Sequence, residues 1–551
     1  MPPVTPVQGP SPGATPPTIP ALVREAAARH GDAEAVVDGD ARVTFAELGR
    51  LVEDAARAYV AAGVGPGDRV ALWAPNSLGW VVAALGAQTA GALLVPLSTR
   101  LKGTEAAYVL DRSRAGVLVV VGSFLGTDFP AMLDGHPLPH LRTIAVLDGD
   151  GNGDRDGGTG VPAGARPGTT TWDAFVAAGA GVDPAVVDER VAALRPDDPA
   201  DVMFTSGTTG KPKGVLCSHT QDLRVFAVWA DTVGLRPGDR YLLVNPMSHS
   251  FGLKAGIVAC LLAGATMLPL AVFDVDAVLD LTERERATVL PGPPTLYQSM
   301  LHHPRRATAD LSSLRLAVTG AAAIPTTLVE QMRNDLGFGT VVTAYGLTES
   351  TGMATICRPD DDAETIATTS GRAIPGVEVR IVDDAGRALP CGEAGEIVCR
   401  GYNVMLGYFE DPEGTAETID ADGWLHTGDI GTMDEQGNVR ITDRKKDMFI
   451  VGGFNAYPAE IEDLLLGHPD IAQVAVVGVP DERLGEVGVA YVVPAPGAEP
   501  SPDGIVAWAR ETMANYKVPR RVVLVEALPL NASGKVLKYE LRAQAVAGAT
   551  T

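Results

Sequence analysis

The chain has 551 residues, of which 46% are hydrophobic and 20% charged, and its formal net charge is −24. A chain of this length is expected to form at least two domains, and the composition excludes an intrinsically disordered protein. Proteins that bind nucleic acid need a basic surface, so the acidic balance argues against a nucleic-acid partner. The five cysteines are odd in number and have no CxxC spacing, which favours a reduced, cytoplasmic compartment.

The predicted elements begin after a tail. Residues 1–20 are rich in Pro, Gly, Ser and Thr and lack the pattern of a signal peptide, so they are predicted to be disordered. Thr44 and Glu47 have the spacing of a capping box, which predicts a helix that continues to Ala62. Short apolar runs then alternate with helix-like runs, at 69–73, 92–97, 118–121, 241–244, 267–270, 289–290 and 316–318. This alternation predicts parallel sheets covered by helices on both faces.

An uncharged segment at 255–273 is almost long enough to span a bilayer. Gly264 and Pro269 interrupt it, so we predict a buried helix, a turn and a buried strand, and no membrane span. Residues 148–170 are rich in Gly and Asp and are predicted to form a surface loop. After about residue 371, short strands at 377–382 and 396–400 predict a small β-rich subdomain, and a separate small α+β domain is predicted from about residue 444.

A dense set of hydroxyl, glycine and ammonium groups follows the predicted strand 202–204. It consists of Thr205, Ser206, Gly207, Thr208, Thr209, Gly210, Lys211, Pro212, Lys213 and Gly214. Backbone N–H groups, hydroxyls and ammonium groups in such a loop can surround phosphate oxygens. The loop is not a Walker A motif, because Lys211 precedes proline rather than Ser or Thr.

This loop resembles the phosphate-binding signature of the adenylate-forming superfamily, which includes acyl-CoA synthetases, luciferases and peptide-synthetase adenylation domains. The other signatures of that superfamily follow in the same order, over essentially the whole chain after the tail. The segment Tyr345, Gly346, Leu347, Thr348 and Glu349 resembles the motif for adenine and magnesium. The resemblance implies that Tyr345 stacks on adenine, Thr348 lies by the α-phosphate and Glu349 holds Mg²⁺, which prefers oxygen ligands. A turn that leads into a capped helix is compatible with the same five residues.

Two further segments complete the nucleotide site that the resemblance implies. Gly320, Ala321 and Ala322 resemble the wall on which the nucleotide and the acyl group meet, although a tight turn from a strand into a helix fits these letters equally well. Asp429, at the end of segment 424–429, matches the residue that accepts both ribose hydroxyls, a task for which a carboxylate has enough acceptors.

Three segments near the C-terminus resemble parts of a mobile domain. By this resemblance Asp443 is the hinge, Arg444 contacts the ribose, and Gly452 and Gly453 come near coenzyme A once the small domain has turned. Lys535, in segment 529–536, matches the catalytic lysine of the adenylation step. An ammonium group there would reduce the repulsion between an anionic carboxylate and an anionic α-phosphate.

Segment 245–252 resembles the acyl pocket of the superfamily, and the resemblance implies that His249 is a gate beside the carboxylate of the substrate. A buried histidine with its hydrogen bonds satisfied in the core is an equally good interpretation of His249. In adenylation domains for α-amino acids, an aspartate follows the aromatic residue of this segment. Here the aromatic residue is Phe251, and Gly252 follows it. This difference disfavours an amino-acid substrate and favours a CoA ligase. We interpret Lys254 as a surface lysine whose stem lies along apolar surface. The alternative is that it pairs with a polar or second anionic group on the acid.

A narrower resemblance is to actinobacterial ligases that load propanoate side chains of partly degraded steroid rings. It rests on segments 251–256, 291–297 and 400–408. That subgroup usually has aromatic residues where this chain has Met247 and Ser248, so fatty acids and aryl acids stay open as substrates.

The sequence therefore predicts an AMP-forming acyl-CoA synthetase that uses ATP, Mg²⁺ and coenzyme A to activate a carboxylic acid. The expected fold is α/β. A large N-terminal domain at 21–442 would contain two layered α/β subdomains and a β-subdomain, and a small mobile α+β domain would occupy 443–551. An adenylating enzyme that loads a carrier-protein thiol is an alternative, as is a luciferase-like oxygenase. A non-catalytic nucleotide-binding scaffold is an alternative of another class, and the sequence leaves a homo-oligomer open.

Overall fold

The computed structural model describes residues 15–148, 166–205, 212–320, 324–444, 447–451, 454–456, 458–481, 484–513, 515–530 and 536–547. The chain divides into two compact units, of which the first comprises 1–378 and 399–425 and the second 379–398 and 426–551. The prediction of an α/β protein with a large N-terminal and a small C-terminal part is confirmed. Asp443 lies within a strand of the second unit, and its role as a hinge stays a prediction.

The strands of the described residues are, in chain order, β1 (Glu34–Asp38), β2 (Ala41–Thr44), β3 (Arg69–Trp73), β4 (Leu93–Leu97), β5 (Val117–Val121), β6 (Ser123–Phe124), β7 (Thr127–Asp128), β8 (Thr143–Leu147), β9 (Thr169–Thr171), β10 (Pro199–Thr205), β11 (Lys213–Ser218), β12 (Arg240–Leu243), β13 (Thr266–Pro269), β14 (Val289–Pro291), β15 (Leu316–Gly320), β16 (Thr340–Tyr345), β17 (Thr355–Ile356), β18 (Arg372–Ala373), β19 (Val377–Val382), β20 (Gly395–Gly401), β21 (Gly407–Tyr408), β22 (Leu425–Met433), β23 (Val439–Arg444), β24 (Phe449–Val451), β25 (Phe454–Ala456), β26 (Ile471–Asp481), β27 (Gly485–Pro494) and β28 (Arg521–Leu524).

The helices are α1 (Ile19–His30), α2 (Phe45–Ala61), α3 (Leu78–Thr89), α4 (Gly103–Ser113), α5 (Trp172–Ala178), α6 (Pro184–Ala193), α7 (His219–Val233), α8 (Ser250–Gly252), α9 (Ala259–Ala263), α10 (Val275–Glu285), α11 (Pro294–His302), α12 (Thr326–Asn334), α13 (Ala363–Thr368), α14 (Pro412–Thr418), α15 (Pro458–Leu466), α16 (Pro502–Thr512) and α17 (Lys538–Ala547). Short 3-10 turns occupy Ala131–Leu133, Gly179–Gly181, Pro304–Ala307 and Thr348–Ser350, and Leu253–Val258 is π-helical.

Local signals explain where the first helices begin. Thr44 and Glu47 form the predicted capping box: the Glu47 N–H donates to Thr44 Oγ1 at 3.2 Å, and the Thr44 N–H donates to Glu47 Oε2 at 2.9 Å. Helix α1 already begins at Ile19, so the predicted boundary of the tail at residue 20 is slightly too late. The reason is that Thr18 caps the helix and Pro20 lies in its first turn, where proline needs no N–H partner. Residues 1–14 of the predicted tail lie outside the described residues.

Two sheets form the framework of the first unit. One has the strand order β18-β17-β16-β15-β14-β12-β13-β1-β2, and the other has the order β21-β11-β10-β4-β3-β5-β8-β9. Strands β12 to β16 run parallel to one another, as do β3, β4, β5 and β8. Because the carboxyl ends of parallel strands meet at one edge, the segments that follow them form the natural binding edge of each sheet.

The uncharged segment 255–273 has the predicted structure. A helix made of α8, the π-helical Leu253–Val258 and α9 ends at Gly264, and the buried strand β13 follows. Gly264 has a φ of 70°, which the left-handed end of the helix requires. No helix among the described residues is long and apolar enough to cross a membrane. Most of the predicted surface loop 148–170, at 149–165, lies outside the described residues.

The second unit contains two sheets, of order β19-β20-β22-β23 and β25-β24-β27-β26, with β28 paired to β27. Residues of β26 and β27 alternate between two apolar clusters, as expected for a sheet with both faces covered. Val476 and Val492 pack with Ile461 of α15 and Ile505 of α16. The neighbours of these valines along each strand pack on the other face, with Leu541 of α17.

Candidate active site

The two ends of the phosphate loop are held together by a pair of strands. Thr205 ends β10 and Lys213 begins β11, and the two residues are direct partners in this antiparallel ladder. Thr205 Oγ1 donates to the Lys213 carbonyl oxygen at 3.4 Å. Gly214 has no room for a side chain, because a Cβ there would lie 2.8 Å from Val202 Cγ1. The remaining predicted members lie outside the described residues; they are Ser206, Gly207, Thr208, Thr209, Gly210 and Lys211.

The ammonium group of Lys213 faces open space beside the loop. Its Nζ lies 3.6 Å from Asp411 Oδ2 and 4.8 Å from the centre of the Tyr408 ring. With Arg112, Lys213 lines an open cavity of about 190 Å³. Two cationic side chains therefore border a space next to the predicted phosphate site.

The predicted adenine motif forms a sharp turn at the end of β16. Tyr345 ends the strand, and the 3-10 turn Thr348–Ser350 follows. Gly346 is required there, because a Cβ would lie 2.4 Å from the Gly352 carbonyl oxygen. Thr351 has a φ of 55°, which is unfavourable for a β-branched residue. Its hydroxyl donates to the Asn403 carbonyl oxygen at 2.7 Å and so helps to hold this conformation.

Glu349 has a specific partner that the sequence did not indicate. Its Oε1 accepts a hydrogen bond from the Tyr408 hydroxyl at 2.9 Å. Burial and the adjacent Glu349 carboxylate both raise the pKa of Tyr408 well above its ordinary value, so the phenol stays protonated and remains a donor. Tyr408 is positioned by β21, which pairs with β11 next to the phosphate loop. The carboxylate of Glu349 is therefore oriented by a residue anchored beside Lys213.

Gly320 lies next to the strand that ends in the predicted adenine motif, and its role as a wall of the site stays a prediction. It ends β15 and is paired with Ala344 of β16, the residue before Tyr345. A Cβ on Gly320 would lie 2.9 Å from the Ala344 carbonyl oxygen, so the close approach of the two strands requires glycine. Ala321 and Ala322 lie outside the described residues.

His249 is exposed, which excludes the alternative of a histidine satisfied in the core. It caps the helix that begins at Ser250, and its Nδ1 accepts a hydrogen bond from the Phe251 N–H at 3.2 Å. With Nδ1 as the acceptor, Nε2 is the ring nitrogen that can act as a donor. A Cβ on Gly252 would lie 2.1 Å from the Pro246 carbonyl oxygen, so this backbone has no room for the aspartate of the amino-acid enzymes.

Asn76 holds the acyl-pocket segment from the opposite sheet. Its buried amide donates to the carbonyl oxygens of Leu243 and Asn245, each at 2.9 Å, and accepts from the Met247 N–H at 2.8 Å. Asn76 follows β3, whereas the segment follows β12 of the other sheet. Nothing in the local sequence around Asn76 indicates these distant partners.

The predicted ribose residues lie in the second unit and are neighbours there. Asp429 of β22 is the direct cross-strand partner of Arg444 of β23, and the side chain of Asp429 is buried. Glu396 supports the preceding turn: its Oε1 accepts from the Gly428 N–H at 3.2 Å, and its Oε2 lies 3.2 Å from His426 Nδ1. This arrangement keeps the Asp429 backbone in a defined position within its unit.

Three further predicted residues also fall outside the described residues, namely Gly452, Gly453 and Lys535. Residues on either side of the lysine segment are described: Leu530 and Val536 form an antiparallel bridge, and the Leu537 N–H donates to the Pro529 carbonyl oxygen at 2.8 Å. These contacts bring residues 529–530 next to residues 536–537.

A magnesium ion that is held mainly by substrate phosphates needs only one or two protein carboxylates. Among the described residues no group of three or more His, Cys, Asp or Glu side chains could hold a metal ion by itself. Glu349 alone, oriented by Tyr408, fits a cation that takes its other ligands from ATP and water.

These features match those of known proteins. The model of the AMP-binding enzyme family matches residues 23–409, and the model of the AMP-binding enzyme C-terminal domain matches residues 460–535. The chain therefore belongs to the AMP-binding, adenylate-forming enzymes. One relative is the "3-[(3aS,4S,7aS)-7a-methyl-1,5-dioxo-octahydro-1H-inden-4-yl]propanoyl:CoA ligase" of Rhodococcus jostii (strain RHA1). The two sequences are 51% identical over 528 residues, and this alignment covers 96% of this chain and 98% of that protein.

A protein of the same name from Mycobacterium tuberculosis (strain ATCC 25618 / H37Rv) is also 51% identical, over 95% of this chain and 98% of that protein. The crystal structure of ATP-bound MatB from Rhodopseudomonas palustris has a TM-score of 0.81 and 30% identity, and the match covers 96% of this chain and 99% of that chain. The chain is an AMP-forming acyl-CoA ligase, an acid–thiol ligase that uses ATP and coenzyme A.

Proposed function

We propose that the acid activated by this ligase is a bicyclic propanoate with ketone groups on its rings, of the kind named for the two relatives at 51% identity. The observation that carries the proposal is the 51% identity over an aligned region that covers 96% of the chain. Met247 differs from the aromatic residue usual in that subgroup, but its side chain is buried. The departure at Met247 therefore lies in the packing behind the segment, whereas Ser248, the second departure, is half-buried.

In the first step the carboxylate of the acid attacks the α-phosphate of ATP, and pyrophosphate leaves. Both reacting groups are anionic, so the step needs cations and N–H donors that reduce their repulsion in the transition state. We assign this task to Lys535 and to the loop that ends at Lys213. The exposed His249, with its Nε2–H as donor, would lie beside the carboxylate of the acid.

Other residues would orient the nucleotide. Tyr345 would stack on the adenine, Thr348 would lie by the α-phosphate, and Asp429 with Arg444 would bind the ribose. Glu349 would hold Mg²⁺, which when bound neutralises part of the phosphate charge. The hydrogen bond from Tyr408 supports this assignment, because it leaves the second oxygen of Glu349 as a ligand in a defined direction.

In the second step the thiol of coenzyme A attacks the carbonyl carbon of the acyl-adenylate, and AMP leaves. The segment of Gly452 and Gly453 would come near the coenzyme after a rotation at Asp443. The alternative acceptor is the thiol of a carrier protein, which would use the same nucleotide residues. A location in the cytoplasm, where ATP and coenzyme A are abundant, is part of this proposal, as is the absence of a nucleic-acid partner.

The test is to incubate the purified protein with ATP, Mg²⁺, coenzyme A and a set of acids, and to identify products by mass spectrometry. The set contains 3-(7a-methyl-1,5-dioxo-octahydroinden-4-yl)propanoate, medium- and long-chain fatty acids, and an aryl acid such as ferulate. We expect AMP and an acyl-CoA with the bicyclic propanoate at the highest kcat/KM. A higher kcat/KM with a fatty or aryl acid would overturn the substrate class, and acyl-adenylate without thioester would indicate a carrier-protein acceptor.

A further inference from the structure

Lys254 is buried, contrary to the prediction of a lysine extended along the surface. Its side chain is 0% exposed, and its Nζ lies 2.7 Å from Asp222 Oδ1 and 3.2 Å from Asp201 Oδ2. Both carboxylates are buried as well. We call these three residues the buried triad.

The buried triad is energetically unfavourable, because the free energy lost when charges leave water usually exceeds the free energy gained from their attraction in the core. Burial alone would lower the pKa of Lys254, but the two carboxylates raise it well above its ordinary value. Burial and the neighbouring Asp201 raise the pKa of Asp222 well above its ordinary value. The raised pKa favours a proton on Asp222, and with that proton the two carboxylates would carry one negative charge to balance the ammonium of Lys254. Replacing such a triad by apolar residues is often neutral or stabilising, so a positioning task is a better explanation of the triad than stability.

The task follows from the three elements that the buried triad connects. Asp201 lies in β10, the strand that leads to Thr205 and the phosphate loop. Asp222 lies in α7, which follows β11 on the other side of that loop. Lys254 lies in the π-helical Leu253–Val258, directly after the turn that His249 caps. The triad thus ties the acyl-pocket helix to both strands that flank the phosphate loop.

The π-helical turn is consistent with this task. A π-helical turn is less favourable than an α-helical one and occurs mostly at functional sites. It also changes the direction in which the residues on either side of it point, because it accommodates one extra residue per turn. All six residues of Leu253–Val258 are buried, so here the turn directs the ammonium of Lys254 inward.

The adenine turn contacts the same region. Cys217, beside the triad in β11, has its Sγ 3.7 Å from Thr351 Oγ1 and 4.0 Å from the Thr348 carbonyl oxygen. Gln221, the neighbour of Asp222, donates from Nε2 to the Val404 carbonyl oxygen. Thus the acyl-pocket helix, the phosphate-loop strands and the turn that carries Glu349 share one buried anchor.

We propose that Lys254 is a positioning residue for the carboxylic acid: with Asp201 and Asp222 it sets the distance between the helix that begins at His249 and the strands of the phosphate loop. In the proposed site the acid binds at the helix and the α-phosphate at the loop, so a displaced helix would misalign the acid while ATP still binds. This inference rests on the proposed adenylation site and goes beyond it, since it assigns a role to a residue that no substrate touches.

The experiment compares Lys254→Met with the double variant Lys254→Met/Asp201→Asn. Methionine keeps the length of the stem and removes the ammonium, and the second substitution removes the carboxylate charge that would otherwise stay unpaired. The double variant is expected to regain most of the thermal stability lost in Lys254→Met. Its KM for the acid in the pyrophosphate-release assay is nevertheless expected to stay raised, by about tenfold or more, with the KM for ATP within about twofold of wild type.

Asp239→Asn is the matched control. Asp239 is a buried carboxylate that accepts from Arg315 Nε at 2.7 Å and from the Thr288 hydroxyl at 2.9 Å. These three residues precede β12, β14 and β15, so they lie at the amino edge of their sheet, opposite the binding edge. The control should lower the melting temperature and leave the KM for the acid unchanged.

A double variant with wild-type stability and a wild-type KM for the acid would overturn the inference, and so would equal rises in KM for the acid and for ATP. If Lys254→Met does not fold, the double variant decides the question by itself. If neither variant folds, the triad is a stability element and the inference is wrong.

A wild-type protein that releases no pyrophosphate with any acid would instead overturn the proposed substrate class, and hydrogen exchange then tests the triad. The expected result in the double variant is faster exchange of the amides in Leu253–Val258, with unchanged exchange in α3.

Discussion

The hydroxyl of Tyr408 donates a 2.9 Å hydrogen bond to Glu349 Oε1, although the two residues are 59 positions apart in the chain. Tyr408 is held by the pairing of β21 with β11 and by a hydrogen bond from its own N–H to Thr415 Oγ1 at 2.9 Å. A carboxylate that accepts from a fixed donor loses rotational freedom and presents its other oxygen in one direction. This is the kind of support that sets the affinity of a metal ligand.

Tyr408→Phe is therefore expected to weaken the use of magnesium. The loss of an outer partner of a metal ligand typically costs about tenfold or more in metal affinity. The measurement is the rate of acid-dependent pyrophosphate release at fixed ATP over a series of Mg²⁺ concentrations. We expect the half-saturating Mg²⁺ concentration to rise by about tenfold, with partial recovery of the rate at high Mg²⁺.

Tyr402→Phe is the control for that experiment. The Tyr402 hydroxyl is buried and has no hydrogen-bond partner among the described residues, so the substitution removes no hydrogen bond. Its magnesium dependence should match that of wild type. An unchanged magnesium dependence in Tyr408→Phe would contradict the assigned role of the Tyr408–Glu349 hydrogen bond.

Asn76→Asp is expected to impair binding of the acid while the side chain keeps its shape. A carboxylate still accepts from the Met247 N–H but cannot donate to the carbonyl oxygens of Leu243 and Asn245. The Leu243 carbonyl oxygen keeps the N–H of Leu270 as a donor, but the Asn245 carbonyl oxygen loses the Asn76 donor. Leaving a buried acceptor unsatisfied costs about 1–3 kcal/mol, so the melting temperature should fall. The KM for the acid should rise more than the KM for ATP in steady-state assays. An equal effect on both would show that Asn76 supports the fold generally.

These partners mark the limit of prediction from the sequence. The capping box at Thr44, the strand–helix alternation and the order of the motifs are local patterns, and the structure confirms the elements they predict. Asn76 and its acceptor Asn245 are 169 positions apart and belong to different sheets, so no periodicity links them. Lys254 was misread for the same reason: its environment depends on how a π-helical turn packs between two distant elements.

Asp222→Asn is expected to change how stability depends on pH. The folded-state pKa of Asp222 lies well above its ordinary value of 3.8, so the folded protein holds a proton that the unfolded chain releases. The contribution of Asp222 to stability is therefore fully present below the ordinary value and is lost as pH rises toward the folded-state pKa. Asparagine does not titrate, so the variant should lack this part of the decline. Thermal melts of both proteins between pH 5 and about pH 8 should diverge, with the variant losing less stability than wild type as pH rises.

Asp201→Asn is the comparison for that experiment. If Asp222 carries the proton, Asp201 supplies the charge that balances Lys254, and its neutralisation leaves the ammonium unpaired in the core. At neutral pH Asp201→Asn should therefore destabilise the protein more than Asp222→Asn, by about 3 kcal/mol in chemical denaturation. The opposite order would mean that the proton resides on Asp201.

Lys535→Ala is expected to separate the two steps of the reaction. Adenylation joins two anions and depends on a positioned cation, so acid-dependent pyrophosphate release should fall by roughly a hundredfold or more. Attack of a thiol on a preformed acyl-adenylate involves a carbonyl carbon and no incoming anion at phosphorus. Thioester formation from chemically supplied acyl-adenylate should consequently be reduced far less. Single-turnover assays of each step, with Lys535→Arg as the variant that keeps the charge, measure the difference; near-normal adenylation by Lys535→Ala would contradict the assignment of this lysine.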